Sequence, residues 1–535
     1  MTFSERNLLH SRVYLTGLIL LSLGMIFSGP VASMSIMLLG ANWFAEGNYR
    51  ERLRTFFHNT SAVLLSLFFL LHVIGLSWSS DMNFGLNDVR IKIPLFVLPF
   101  IVSTTPRLSI RNFRLFCAFF VTGVFVTTLI SMAVLKGLIP AREVKTVQDI
   151  RDISIFVSHI RLSLMICLSI FTLLYFIIKH SAPLARVAAS LLLLWFITFL
   201  TILESLTGLS ILIFVSLVLA ITYFNSKRPL LGRTILAGLL AGLVIIGAQV
   251  YSIARSFLEV KPITYSSLRT TSPHRNPYMN DTTSAMVENG TYVRLGICWE
   301  ELRKGWEQKS TIPFGGSDSK GNLVSTTLNR YLASLGFLYK DSAAFATLTP
   351  ADIQLIESGV TNCRFKRLSS LQARVYETIW EVDVYLKGDN PSGHSMTMRF
   401  EFWKTGWHIV QKHWLWGTGT GDVQKSFNEQ YLIDHSALEE RWHLRGHNQY
   451  LAIAIAFGFP GLLLFLASLF YPLLHGKMYR NYFYVVFWMI AMISFLTEDT
   501  LETQAGATFF SLFNSVFLFA RPQEPEYDPY QSAGK

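Results

Sequence analysis

The sequence predicts an all-α fold, a polytopic membrane helical bundle of about 12 transmembrane helices carrying one large helical loop domain on its outer side. Three observations predict it. Half of the 535 residues are apolar (51%) and only 15% are charged, where a soluble domain carries about 25%. The apolar residues, 42 Phe among them, gather into runs near the roughly 20 residues that cross a bilayer. Lys and Arg are dense in alternate connections between those runs and sparse in the others, the pattern that records membrane orientation.

Spans are expected near 13–29, 31–46, 59–77, 91–104, 113–136, 157–178, 187–203, 206–224 and 232–253. After a long polar stretch come 449–474, 481–497 and 503–520. The domains are therefore 1–253 (nine helices), 254–448 (the loop domain), 449–520 (three helices) and a polar tail, 521–535, expected to be disordered. No small-residue cleavage site closes the first span, so a removable signal is not expected.

With the N-terminus inside, the inner connections hold Arg50, Arg52 and Arg54; Arg107, Arg111 and Arg114; Lys179 and Arg186; Lys227, Arg228 and Arg233; Lys477 and Arg480. The outer short loops hold only Arg90, Lys92, Lys136, Arg142, Lys145 and Arg151, and the last one, Thr497 to Glu502, is wholly acidic. Both termini are thus expected to be cytoplasmic and 254–448 to face outward. The local excess of cations between 136 and 151 marks a candidate anion site. The net charge of +11 does not indicate nucleic acid, because the cations are scattered rather than gathered on one face.

Inside the loop, helical spacing of Leu295, Trp299, Leu302 and Trp306 predicts a helix over 291–308. A second is expected over 325–335, stopped by Gly336. Thr349-Pro350-Ala351-Asp352 reads as a helix start, with Thr as N-cap and Pro behind it. Residues 367–387 and 395–412 continue the pattern, and no sheet is expected. Cys298 and Cys363 lie in this region, where an oxidising compartment can pair them.

Chemistry is sought first at Arg445-Gly446-His447-Asn448, where the loop re-enters the membrane. Residues here can simply cap the next helix, or His447 can serve as a base. Trp416-Gly417-Thr418-Gly419-Thr420-Gly421-Asp422 is a tight turn, with a phosphate nest as the lesser alternative. Arg161, after Ser158 and His159, stands at the outer start of a span, where Arg marks either function or snorkelling. Arg294, Arg399 and Arg445 are further guanidiniums suited to phosphate. Glu204, Glu498, Asp499 and Glu502 lie in short outer turns, where acids are usually solvated. No HExxH and no Cys/His cluster is present, so no catalytic metal and no cofactor are expected.

Taken in order, these features resemble the O-antigen ligase / O-antigen polymerase superfamily. The resemblance rests on the dominant loop, the Arg399 helix running into the glycine turn, the ending His447-Asn448-Gln449-Tyr450-Leu451 followed by Gly458-Phe459-Pro460-Gly461, and His159-Ile160-Arg161. It is good from about 150 to 475. The stretch from about 290 to 395 is longer than usual for the family. Where the family often has Ser-Arg, this chain has Glu204-Ser205-Leu206-Thr207-Gly208, which moves one phosphate contact to Arg294 or Arg399.

The resemblance implies a glycosyltransferase of lipopolysaccharide biosynthesis in the bacterial inner membrane. Its donor would be an undecaprenyl-pyrophosphate-linked glycan and its acceptor a hydroxyl on lipid A–core, joined at the periplasmic face without metal. His447 would be the general base. Arg161, Arg399, Arg445, Arg294, His159 and Asn448 would bind pyrophosphate. The alternatives are an O-antigen polymerase or a protein O-oligosaccharyltransferase and, more distantly, a secondary transporter. Against the transporter stand the domain-like loop and the lack of paired broken spans.

Overall fold

The structure, a computed structural model, describes residues 3–140, 150–179, 182–224, 229–260, 263–284, 286–366, 368, 370–388 and 390–522. Arg142 and Lys145 of the candidate anion loop, Lys227 and Arg228, and the tail from 523 onward lie outside the described residues.

The described chain is mostly helical and forms two compact units. The first comprises Met1–Val218, Glu401–Ser436 and His443–Lys535. It opens with α1 (Phe3–Phe27), α2 (Gly29–Glu46), α3 (Tyr49–His58), α4 (Thr60–Ile74), α5 (Met82–Lys92) and α6 (Pro94–Ser103). There follow α7 (Ile110–Leu135), α8 (His159–Lys179), α9 (Pro183–Ile202) and α10 (Leu206–Leu219). Polar residues start many of these helices: Asn59 caps α4, Asp81 α5 and Ser109 α7. Each supplies an acceptor to an amide that the helix itself leaves open.

The second unit holds Leu219–Phe400 and Ala437–Trp442. It contains α11 (Pro229–Leu258), a hairpin of β1 (Val287–Glu288) and β2 (Thr291–Tyr292), α12 (Trp299–Lys309), α13 (Val324–Ser334), α14 (Ser342–Ala346), α15 (Pro350–Glu357) and α16 (Ser370–Leu386). α17 (Ser395–Lys412) leads from this unit into the first. There the chain completes α18 (Val423–Ile433), α19 (Gln449–Leu474), α20 (Tyr482–Thr497) and α21 (Gln504–Ser515).

Each of the twelve predicted spans falls on helix. Among the described residues seven helices are long and apolar enough to cross a membrane, and three shorter apolar ones accompany them, at 206–222, 482–497 and 504–520. α2 is interrupted by Ser, Gly and Asn, and α6 has only 10 residues, too few to span alone.

The loop helices match their signals with one exception. Gly336 (φ 96°) ends α13 as predicted, with the amides of Gly336 and Phe337 returning to Ala333 and Leu332, the paired bonds of a glycine-stopped helix. Thr349 and Asp352 form the reciprocal cap of α15. The predicted helix over 291–308, however, begins only at Trp299, because Thr291 and Tyr292 pair with Glu288 and Val287. Asn289 and Gly290 both take positive φ, the two-residue turn that joins antiparallel strands with the correct twist. Trp306, Leu328, Tyr331, Leu332 and Phe345 fill the core of this region. Cys298 and Cys363 are free thiols, so the pairing that an oxidising compartment would allow is not formed.

One span is broken. Gly458 lies inside α19 at φ 65°, ψ −167°, which frees backbone groups that a membrane would leave without partners. The glycine turn after α17 takes them up. The amides of Thr418 and Gly419 donate to the Ile455 and Ala456 carbonyls at 2.8 and 2.9 Å, and the Phe459 amide donates to Trp414 O at 2.7 Å. A Cβ on Gly458 would lie 2.5 Å from Trp414 O. The same turn closes the end of α4, where Thr420 Oγ1 donates to His72 O (2.7 Å) and the Gly421 amide to Ser79 Oγ (2.9 Å). Asp422 then accepts from the Ser80 and Asp81 amides. These amides are consumed in stitching two spans together, which removes the phosphate-nest alternative.

Candidate functional site

The site is built on residues 444–448, a strand of chain outside any sheet that leads into α19. Each residue is held from a different direction. Tyr431 donates its hydroxyl to Leu444 O at 2.7 Å. Arg445 reaches the Glu502 carboxylate at 3.3 Å. Trp403 of α17 donates Nε1 to Gly446 O at 2.8 Å. Asn448 caps α19, accepting from the Leu451 amide and donating to Leu496 O.

His447, at the centre, has φ 43°. A non-glycine residue in this left-handed conformation costs of order 1–3 kcal/mol and persists where its surroundings enforce it. The ring lies 5.8 Å from that of buried Phe402. Its Nδ1 faces Glu498 Oε2 at 3.6 Å and Asp499 Oδ1 at 3.7 Å. The imidazole side chain is 34% exposed, whereas the two carboxylates are 10% and 12% exposed.

Arg161 approaches the same acidic pair from α8. α8 and α20 pack antiparallel, with Tyr482 at the start of α20 bonded to Phe171 O. The end of α20, and with it Glu498 and Asp499, thus comes to the start of α8. Arg161 is within electrostatic range of both carboxylates. Its NH1 donates to Ser158 Oγ at 2.8 Å, while its buried Nε meets no acceptor among the described residues. His159, half-buried, is the first residue of α8.

Beneath the strand lies a buried charge cluster. Lys92, 1% exposed, donates to Asp88 at 2.5 Å and to Glu502 at 2.8 Å. Glu502 also accepts from Gln449 Nε2 at 3.0 Å, and Gln449 Oε1 accepts from the Leu501 amide. Burial opposes ionisation of Glu502, yet Lys92 and Arg445 overcome it and hold the carboxyl well below the usual range. Burial pushes the Asp88 carboxyl opposite up to about 7, so Glu502 carries most of the negative charge that the buried cations require.

The first unit therefore contains His447, Asn448, Arg445, Arg161 and His159. Arg294 and Arg399 belong to the second. Arg294 is exposed and paired with Asp281 at 3.4 Å; Arg399 lies on α17, its NH1 3.9 Å from Met396 Sδ. Glu498 and Asp499, expected to be solvated, are instead buried, and the Glu502 side chain is only 9% exposed. The available signal was their density: three acids within five residues between two apolar spans. Lys92, counted among the outer positives, is a pairing partner for Glu502.

Two further features bear on chemistry. His447, Glu498 and Asp499 each present one donor atom within 4.8 Å of the others, a nitrogen-and-carboxylate set that suits a divalent cation. A cleft of about 620 Å³ is lined by Phe27, Pro30, Phe156, Val157 and Gln504. Its rim residue Val157 precedes Ser158, the hydroxyl that holds Arg161.

Residues 343–466 match the family model described as O-antigen ligase. The matched stretch includes Arg399, Arg445, His447, Asn448 and the break at Gly458, and excludes Arg161 and the acidic loop. A search of curated proteins gives no match. With several helices among the described residues apolar and long enough to cross a bilayer, the chain is a multi-pass membrane protein whose residues 343–466 are similar to the O-antigen ligase family.

Proposed function

We propose that the protein transfers a glycan from undecaprenyl pyrophosphate to an acceptor hydroxyl on lipid A–core, at the periplasmic face of the inner membrane and without metal. The observation that carries this is the placement of His447. Its Nδ1 faces two buried carboxylates, the arrangement that supports an imidazole acting as a base. A guanidinium with an open Nε stands near the same carboxylates.

In this reading His447 Nε2 takes the proton of the acceptor hydroxyl as its oxygen bonds to the anomeric carbon of the donor. The bond from that carbon to the diphosphate oxygen breaks, and undecaprenyl pyrophosphate leaves with the electron pair. Glu498 and Asp499 stabilise the imidazolium that forms. Arg161 meets the charge that develops on the leaving diphosphate, where a fixed donor is worth most. Arg399 and Arg294 are proposed as further pyrophosphate cations on their chemistry alone. Arg445 and Asn448, engaged with Glu502, Leu451 and Leu496, act by holding the His447 strand. His159 stays a candidate at the α8 start. The apolar cleft beside Val157 supports room for an isoprenoid chain.

The same geometry serves a polymerase or a protein O-oligosaccharyltransferase, which share the donor and differ in acceptor. The test is transfer by the purified full chain, offered lipid A–core, a second carrier-linked glycan or a peptide. Transfer to lipid A–core, with a fall of about 10²- to 10³-fold for Arg161→Ala, supports the proposal. Transfer only to another acceptor sinks the ligase assignment, and full activity of Arg161→Ala sinks its role.

The donor set at His447, Glu498 and Asp499 favours a second reading, in which a divalent cation neutralises the diphosphate. Chelation separates the two.

A further inference from the structure

α8 rises about 1.5 Å per residue, so Lys179 at its end lies roughly 27 Å along the helix from Arg161. At that opposite end is a second groove, of about 160 Å³. Three segments distant in sequence contribute a cation to its lining: Arg114 from the first turns of α7, Lys179 from the last turn of α8, and Arg521 just beyond α21. Its floor is aromatic. Phe113 and Phe483 are 5% and 2% exposed, and the Arg521 guanidinium lies 5.7 Å from the Phe483 ring centroid.

Cations at the ends of membrane helices commonly reach for headgroups singly. Here three converge on one concave surface. Ile110, in the lining, and Ile178, next to Lys179 on α8, are large apolar side chains left exposed, a surface that suits hydrocarbon. The groove thus offers positive charge above buried rings with an apolar edge, complementary to a molecule with an anionic head and an acyl tail.

We propose that this groove is a specific site for the phosphate headgroup of an anionic phospholipid, remote from the candidate catalytic strand. Each cation near a membrane surface contributes about 1 kcal/mol towards an anionic lipid, or roughly fivefold in affinity. Removing two therefore predicts a loss of about thirtyfold.

The experiment is native mass spectrometry of the detergent-purified full chain, titrated with phosphatidylglycerol or phosphatidylcholine. We expect phosphatidylglycerol to be retained in preference to phosphatidylcholine, and Arg114→Gln/Arg521→Gln to lose about thirtyfold in affinity for it. Arg111→Gln/Arg186→Gln removes the same charge from helix starts outside the groove lining, and should bind as the unaltered protein does. Equal losses in the two variants would reduce the effect to diffuse charge and overturn the site. Displacement of the lipid by inorganic phosphate at comparable concentration would assign the groove to a free anion instead. Glu524, Glu526 and Asp528 follow Arg521 in the chain. Tighter lipid binding when all three are made neutral amides would assign the groove to the chain's own tail and also overturn the proposal. A thermal melt of each variant identifies loss of binding through misfolding, and Arg114→Lys/Arg521→Lys, which keeps the charge, should restore most of the affinity.

Discussion

Glu502 holds Arg445 at 3.3 Å while its other bonds reach Lys92 and Gln449. One buried carboxylate therefore ties α5, the strand before His447 and the first turn of α19. Glu502→Gln leaves Lys92 with Asp88 alone and Arg445 facing a neutral amide. Breaking a buried pair in this way costs about 3–5 kcal/mol, so the variant should melt well below the unaltered protein. Adding Lys92→Met should recover part of the loss. Equal melting of Glu502→Gln and the unaltered protein would show that the cluster does not hold the strand.

His447 and the acidic pair should act as a unit. His447→Ala is expected to lower transfer by about 10²–10⁴-fold, the usual worth of a general base. Asp499→Asn with Glu498→Gln should cost a smaller part of that, about 10- to 100-fold. Adding the pair to His447→Ala should then cost little more, since the residues share one task. Multiplicative losses in single-turnover assays would argue for independent roles.

Gly458→Ala is expected to fold poorly. The residue has φ 65°, and a Cβ would press on Trp414 O and Leu415 O. Gly242→Ala, in α11 with nothing within 4 Å of the added carbon, should be tolerated or slightly stabilising. Yield and melting temperature compared side by side test whether the break is required.

Chelation should leave transfer unchanged if the carboxylates serve His447 directly. Loss of activity with EDTA, restored by one divalent ion, would instead establish the cation reading of the same three donors.

Acid should loosen the second unit at a definite place. Burial opposes ionisation of Glu301, but hydrogen bonds from Ser272, Asn276 and the Ser342 amide overcome it and bring the carboxyl to about 2. The folded value lies below the ordinary 4.5. Its stabilisation is therefore complete above about pH 4.5 and is lost as pH falls towards 2. Hydrogen exchange over 299–309 should quicken through that window, and Glu301→Gln should remove the dependence.

The spans and most loop helices were legible because length, periodicity and caps are local. Thr349 with Asp352 and Gly336 after α13 show how few residues suffice. The Asn289-Gly290 turn was equally local, and the strands it joins were missed because each has only two residues. The site was half legible. His447 and Arg161 stand out by type and place, but the acids that face them do not, since an acid in a short loop is ordinarily wet. Lys92 meets Glu502 across 410 residues, and no spacing in the sequence announces that. The role of the glycine turn was hidden for the same reason: it depends on a break in a span still to come.

That break has a consequence for how the chain is made. Thr420 bonds to the His72 carbonyl from 348 residues further along. At about 5–20 residues per second of synthesis, the end of α4 waits roughly 20–70 s for its partner. The turn itself then waits for Ile455 and Ala456. During that interval α4 sits in the bilayer with a backbone carbonyl that only later residues will satisfy. Insertion of this protein is therefore a long-range, late-closing event, complete only when α19 has followed the glycine turn into place.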